Sequence, residues 1–235
     1  MTMSVSLIDD LAVLPGLMCD SRMFTQALPD ALFVDGFYGG ANSLPDMARY
    51  SLSRLPSRFA VLGHSMGGRV ALEIIRMAPE RVSALILSST GVHPVQPNEA
   101  EKRFALLDIG RQQGIEALVD QWLPPMIAPD RRNDSDWFAP LKSMCVDAGL
   151  ATYEAQMTAL LSRPELDDLL PTVACPTLVM TGELDQWSPP AQHQAIAAAI
   201  PGASLHIVEG AGHMLPAEQP DMFGSVIQTW LAQTG

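Results

Sequence analysis

The segment Gly63-His64-Ser65-Met66-Gly67-Gly68 carries a serine with a glycine two residues away on each side. An apolar run, Phe59-Ala60-Val61-Leu62, precedes it, and a helix-forming run from Arg69 to Ile75 follows. A serine on a sharp turn between a strand and a helix presents its hydroxyl above the strand end. Free backbone N–H groups at the helix start can then stabilise an oxyanion. The flanking residues are glycines because side chains there would collide with the adjoining strand and helix. The chemistry this predicts is attack by the Ser65 hydroxyl on a carbonyl carbon.

A serine hydroxyl is a poor nucleophile without a base, and the base needs an acid to orient it. In a parallel sheet both should lie on loops after the C-terminal ends of strands. Of the five histidines, His64 adjoins Ser65 but should point away from its hydroxyl on so sharp a turn. His93 opens a helical stretch, His193 reads as part of a surface helix, and His206 falls inside a strand. His213, in Glu209-Gly210-Ala211-Gly212-His213-Met214, follows a strand end after small residues that allow close approach, and is the expected base. Asp185, in Thr181-Gly182-Glu183-Leu184-Asp185-Gln186-Trp187, is the expected acid. Its rival Glu183 is expected to be exposed. The oxyanion hole requires two N–H donors. One is expected from Met66. The other should come from Pro15-Gly16-Leu17-Met18-Cys19, with Leu17 favoured and Met18 as the alternative.

The elements that must position these groups alternate between short apolar runs and helical patterns, which argues for βαβ units and a parallel sheet. Strands are expected at Leu11–Leu14, Ala31–Val34, Phe59–Leu62, Val82–Leu87, Pro176–Thr181 and Ala203–Val208, with a short one over Ser4–Ile8. Helices are expected at Leu44–Leu55 with Ser43 as cap, Arg69–Met77, Pro190–Ala199 and Asp221–Ala232. From His93 to Pro171 no strand is legible. Helices are expected there at Asn98–Gln113, Ile115–Trp122, Ser135–Val146 and Leu150–Leu161, the last two separated by Asp147-Ala148-Gly149. The aromatics and methionines of this stretch (Trp122, Met126, Trp137, Phe138, Met144, Met157) should pack on one another and the sheet, with some lining an apolar pocket.

The 235 residues and 48% hydrophobic content fit one α/β domain with an insertion. A formal net charge of −12 repels phosphate backbones and anionic membrane surfaces, so nucleic acid is an unfavoured partner. No apolar run approaches the ~20 residues of a membrane span, and the first ten residues have no basic, apolar leader pattern. Cys19, Cys145 and Cys175 lie far apart in sequence and offer no metal-ligand spacing, which suits the cytoplasm and predicts no metal. Cys19 is expected to be a small buried hydrophobe.

On Leu14-Pro15-Gly16-Leu17, Gly63–Gly68, Pro176–Asp185, Gly210–His213 and Pro216-Ala217-Glu218-Gln219-Pro220, the chain resembles the α/β-hydrolase superfamily. It is most similar to the small members with a helical cap: esterases, enol-lactonases, carbon–carbon bond hydrolases and cofactor-free haloperoxidases. The resemblance spans nearly the whole chain. It implies an α/β-hydrolase fold, a mostly parallel sheet with flanking helices built from residues 1–92 and 172–235, with residues 93–171 as the cap. The order Ser65, Asp185, His213 is the one expected of that architecture. Many relatives have His-Gly where this chain has Pro15-Gly16. The 35–43 loop lacks the family's Asp-x-x-Gly-x-Gly-x-Ser turn, and one or two front edge strands are expected to be missing.

The expected function is that of a cofactor-free serine hydrolase, a monomer or homodimer. It would cleave a carboxylic ester or lactone of a small to medium, largely apolar molecule through an acyl-enzyme on Ser65. The alternatives are an acyltransferase, perhydrolase or carbon–carbon bond hydrolase on the same residues, or a slow-turnover ligand receptor. Arg103, Arg111, Arg131, Arg132 and Arg163 are candidates to anchor a substrate carboxylate, although a solvated face is the commoner fate of such residues.

Overall fold

The structure is a computed structural model that describes residues 11–234. The strand expected over Ser4–Ile8 lies outside them. The elements in chain order are β1 (Leu11–Leu14), β2 (Leu32–Phe33), α1 (Leu44–Leu52), β3 (Phe59–His64), α2 (Met66–Met77) and β4 (Val82–Ser88). After these come α3 (Glu99–Gln113), α4 (Ile115–Trp122) and α5 (Ser135–Leu161). The chain then returns to β5 (Thr177–Gly182), α6 (Pro190–Ala199), β6 (Ser204–Val208), α7 (Leu215–Glu218) and α8 (Pro220–Thr234).

The six strands form one sheet in the order β2-β1-β3-β4-β5-β6, and every pairing is parallel. Every residue of β1, β3 and β5 is buried, as expected of strands covered on both faces. β6 lies at an edge and leaves Leu205 and Ile207 exposed. The register sets up the site. Leu14 lies beside Gly63, His64 beside Ser88, Ser88 beside Met180, and Gly182 beside Val208. Five neighbouring strands therefore end at one level, and the loops that leave them converge.

Local signals place the helices. Ser43 caps α1 by accepting the Asp46 N–H at 3.2 Å, with Pro45 in the first turn, and Asp134 caps α5 through the Trp137 N–H. Gly149, at φ 79°, divides α5 into the two helical stretches expected on either side of it. Among the described residues no strand occurs between β4 and β5, and no helix is long and apolar enough to cross a membrane. One expectation fails. His193 is fully buried, not on a surface face, because α6 packs that side toward the sheet and its Nε2 accepts the Thr90 N–H at 2.9 Å.

Candidate active site

Ser65 follows directly on β3 and starts α2 with φ 53° and ψ −117°, a conformation that a residue with a side chain rarely adopts. Close packing forces it. A Cβ on Gly63 would fall 2.3 Å from the Gly67 oxygen, and one on Gly67 would fall 2.0 Å from the Leu14 oxygen. The turn is pinned from β4 as well. The Ser65 N–H donates to the Ser88 carbonyl at 2.9 Å, and the Thr90 hydroxyl donates to the Ser65 carbonyl at 2.7 Å.

His213 and Asp185 meet the serine where the sequence order placed them. His213 Nε2 lies 2.9 Å from Ser65 Oγ, and Nδ1 lies 2.9 Å from Asp185 Oδ2. The other carboxylate oxygen of Asp185 accepts the N–H groups of Trp187 and Ser188 at 2.9 and 2.8 Å. Burial alone would raise the Asp185 pKa. The His213 charge and hydrogen bond, with the Ser188 N–H, outweigh it and hold the carboxyl below its usual value. A carboxylate can only accept, so Nδ1 is the donor toward Asp185 and Nε2 is left as an acceptor facing Ser65 Oγ.

The rivals lie elsewhere. His64 is buried with Nδ1 3.4 Å from the Ser88 hydroxyl, and its ring rests against His213 at 5.4 Å between centroids. Burial, then the His213 and His193 charges, push its pKa well down, so it is neutral. Glu183 is exposed and accepts the Gly210 N–H. The Cys19 thiol is buried beside Cys145. That neighbouring thiol and the burial raise its pKa, which keeps it out of nucleophilic chemistry.

The loop after β1 separates the two candidate donors. The Met18 N–H, on a residue with φ 59°, donates to Gln156 Oε1 at 2.8 Å and is already committed. The N–H groups of Leu17 and Met66 have no acceptor among the described residues. The Tyr38 hydroxyl donates to the Pro15 carbonyl at 2.7 Å and holds the loop from the other side.

A cavity of about 370 Å³ opens beside Ser65, and a smaller space of about 30 Å³ lies between Leu17, Ser65 and His213. Leu106, Trp122, Tyr153, Leu160 and Trp187 line the larger one; of the aromatics and methionines singled out in the sequence, Trp122 lines it and Met126 lines the smaller space. Arg69, Lys102, Arg103 and Arg163 line it too, with Glu99 as the acid among them. Glu99 is shared: it accepts both Arg163 Nη groups at 2.7 and 2.6 Å and Arg103 Nε at 3.0 Å. Burial would raise its pKa. The bonds to Arg163 and the Gln96 N–H, with the charges of Arg103 and Arg163, hold it down at about 2. Arg69 has no such partner. It is 4% exposed, donates from Nη2 to the His93 carbonyl at 2.5 Å, and keeps Nη1 without an acceptor among the described residues. Burial and the nearby Arg163 charge push its pKa down to about 9.

Of the five arginines singled out in the sequence, two reach the cavity. Arg111 pairs with Asp108 and Glu154 at the surface, while Arg131 and Arg132 bond to the Glu218 and Ile127 carbonyls. Sequence reasoning missed Arg69, although it lies four residues after Ser65 and so on the same face of α2. It also missed Gln156 and Tyr38, which act across long stretches of chain and leave no local pattern.

The profile of the alpha/beta hydrolase family matches residues 15–225. A Bacillus subtilis (strain 168) protein provisionally named 2-succinyl-6-hydroxy-2,4-cyclohexadiene-1-carboxylate synthase is 30% identical over 229 residues, covering 88% of this chain and 83% of that protein. A thermophilic esterase from Thermogutta terrifontis, solved with malate bound, is 26% identical with a TM-score of 0.84, over 95% of this chain and 89% of its own. The enol-lactonase from Burkholderia xenovorans LB400 has the same fold, with 21% identity and a TM-score of 0.79 over 94% and 90% of the two chains.

Proposed function

The chain belongs to the alpha/beta hydrolase family, and we propose that it is a serine hydrolase that cleaves an ester or lactone whose substrate carries a carboxylate. The observation that carries the reaction type is the unbroken run of contacts from Ser65 Oγ through His213 to Asp185, each link 2.9 Å long. His213 takes the Ser65 proton as the oxygen attacks the carbonyl carbon. Asp185 holds the imidazole in place and stabilises its charged form. The Leu17 and Met66 N–H groups receive the oxyanion. His213 then gives the proton to the leaving alkoxide, and a water, activated by the same imidazole, resolves the acyl-enzyme.

The cavity lining supports the substrate class. In a chain of net charge −12, four basic side chains and one acid surround the space beside Ser65, and Arg69 has a buried donor to spare. A carboxylate on the substrate supplies the missing acceptor, and the charge-assisted bond is worth roughly 1.5–3 kcal/mol. Residues 93–171 act as a cap, since Lys102, Arg103, Tyr153 and Arg163 of the lining all come from it. The three free thiols, Cys19 and Cys145 buried and Cys175 half-buried, suit work in the cytoplasm.

A fluorophosphonate should add one label to the protein, and Ser65→Ala should abolish it. A label that persists in Ser65→Ala overturns the assignment of the nucleophile. A second reading draws on the basic cavity together with the Bacillus relative, whose name is that of a carboxylate synthase. The same hydroxyl–imidazole pair would then take a proton from carbon, the C–H electron pair forming a double bond as a leaving group departs from the adjacent carbon, and no acyl group would reach Ser65. Acid quenching during turnover of a carboxylated ester, followed by mass measurement, separates the two: an acyl adduct on Ser65 supports hydrolysis.

A further inference from the structure

Glu218 ends the short helix α7 behind the candidate base and takes no part in the reaction described above. It is 2% exposed, and a carboxylate sealed from water needs donors to offset its desolvation. Its Oε2 accepts two backbone N–H groups, from Gly212 at 2.9 Å and from Ala128 at 3.0 Å. Gly212 directly precedes His213, and Ala128 belongs to the insertion. Burial raises the Glu218 pKa, and the nearby backbone N–H groups of Gly212, Ala128 and Met214 act against it.

This bridge is one of several at the same seam. The His213 N–H donates to the Met126 carbonyl at 2.8 Å. The Trp137 indole N–H donates to the Ala217 carbonyl at 3.1 Å, and Arg131 donates to the Glu218 carbonyl at 3.3 Å. The Met126 carbonyl holds the 212–213 peptide directly, and Glu218 Oε2 ties the Gly212 N–H to that of Ala128, so the imidazole's position depends on where the insertion lies. A 1 Å displacement of a catalytic group can cost about 100-fold in rate.

The geometry points to Glu218 as a positioning residue that locks the His213 segment to residues 126–128 of the insertion, so that the base and the pocket wall are held as one unit. The proposal rests on His213 being the base for Ser65. The probes are the rate of Ser65 labelling by a fluorophosphonate, and kcat and KM on p-nitrophenyl acetate, all with the full chain. Glu218→Ala should slow labelling and lower kcat by about 10- to 100-fold, with KM held within about twofold. Glu218→Gln keeps an oxygen for both N–H groups and should restore both rates to within about threefold of the parent.

Ala128→Pro attacks the bridge from the insertion side. The residue sits at φ −53° after an extended Ile127, so proline fits the backbone while its ring removes the donor and displaces the carboxylate. It should reproduce the loss of Glu218→Ala. If Glu218→Ala does not fold by circular dichroism, Ala128→Pro and Glu218→Gln decide. Parental labelling rates in Glu218→Ala or Ala128→Pro overturn the proposal, as does a Glu218→Gln protein that is folded and as slow as Glu218→Ala. A parent protein that takes no label at Ser65 instead overturns the nucleophile–base reading, so the two failures are distinct.

Discussion

Gln156, near the end of α5, accepts the N–H of Met18 at 2.8 Å across 138 residues of sequence. The bond joins the insertion to the loop that offers the Leu17 N–H and holds Met18 in its left-handed conformation. Gln156→Leu keeps the bulk of the side chain and removes the acceptor. We expect kcat to fall roughly 10- to 100-fold with KM little changed, because on the proposed reading the loss falls on the donor that meets the oxyanion. Steady-state kinetics on a simple ester checks this; an unchanged kcat would show that the loop holds its shape without Gln156.

Arg69 should discriminate by substrate charge. Arg69→Met preserves the buried stem and deletes the guanidinium. For a hemisuccinate ester, KM should rise about 10- to 100-fold, the equivalent of one charge-assisted hydrogen bond. For a neutral butyrate ester of the same alcohol it should barely move. Equal changes for both would remove the argument for a carboxylated substrate.

Gly67 has no room for a methyl group, since its Cβ would lie 2.0 Å from the Leu14 oxygen, which is backbone and cannot swing away. Gly67→Ala should destabilise the fold by roughly 3 kcal/mol or more. For a chain of this length, that lowers Tm by about 10 °C. Thermal unfolding followed by circular dichroism is the measurement, and a Tm within a degree or two of the parent would contradict the packing argument.

Glu99 titrates at about 2 in the folded protein against an ordinary 4.5. Its ion pairs with Arg163 and Arg103 therefore stabilise the fold fully above about pH 4.5 and lose that effect as pH falls toward 2. The parent should be more stable than Glu99→Gln at pH 7, and the gap in Tm should narrow steadily between pH 4.5 and 2. A gap independent of pH across that range would mean that the carboxylate charge contributes nothing.

The parts of the site that were legible in the sequence are those in which a local pattern carries the constraint. Gly63 and Gly67 announced the turn, because two backbones pass where side chains would stand. Asp185 and His213 could be found because a parallel sheet directs its chemistry to strand ends, and each lies just past one. The acid of the insertion and its arginines were harder to read. Arg163 and Glu99 are 64 residues apart, and an ion pair at that distance leaves no periodicity. The exposure of His193 was misjudged for a related reason: the amino acids of α6 give it little amphipathic contrast, and only the sheet beneath decides which side is covered. Arg69 was readable in principle, one helical turn beyond Ser65, but a charged residue in a helix ordinarily faces water.

The seams between the insertion and the sheet bear on how such a protein can be re-engineered. Exchanging residues 93–171 for the corresponding segment of a relative is an obvious route to a new specificity. That segment is not an independent cassette, however. Met126 holds the peptide on which His213 hangs, Ala128 holds the Glu218 carboxylate that bonds Gly212, and Gln156 holds the loop that carries Leu17. A graft that brings a new pocket without these three acceptors and donors would gain selectivity at the expense of turnover, so chimaeras should keep positions 126–128 and 156 from the recipient chain.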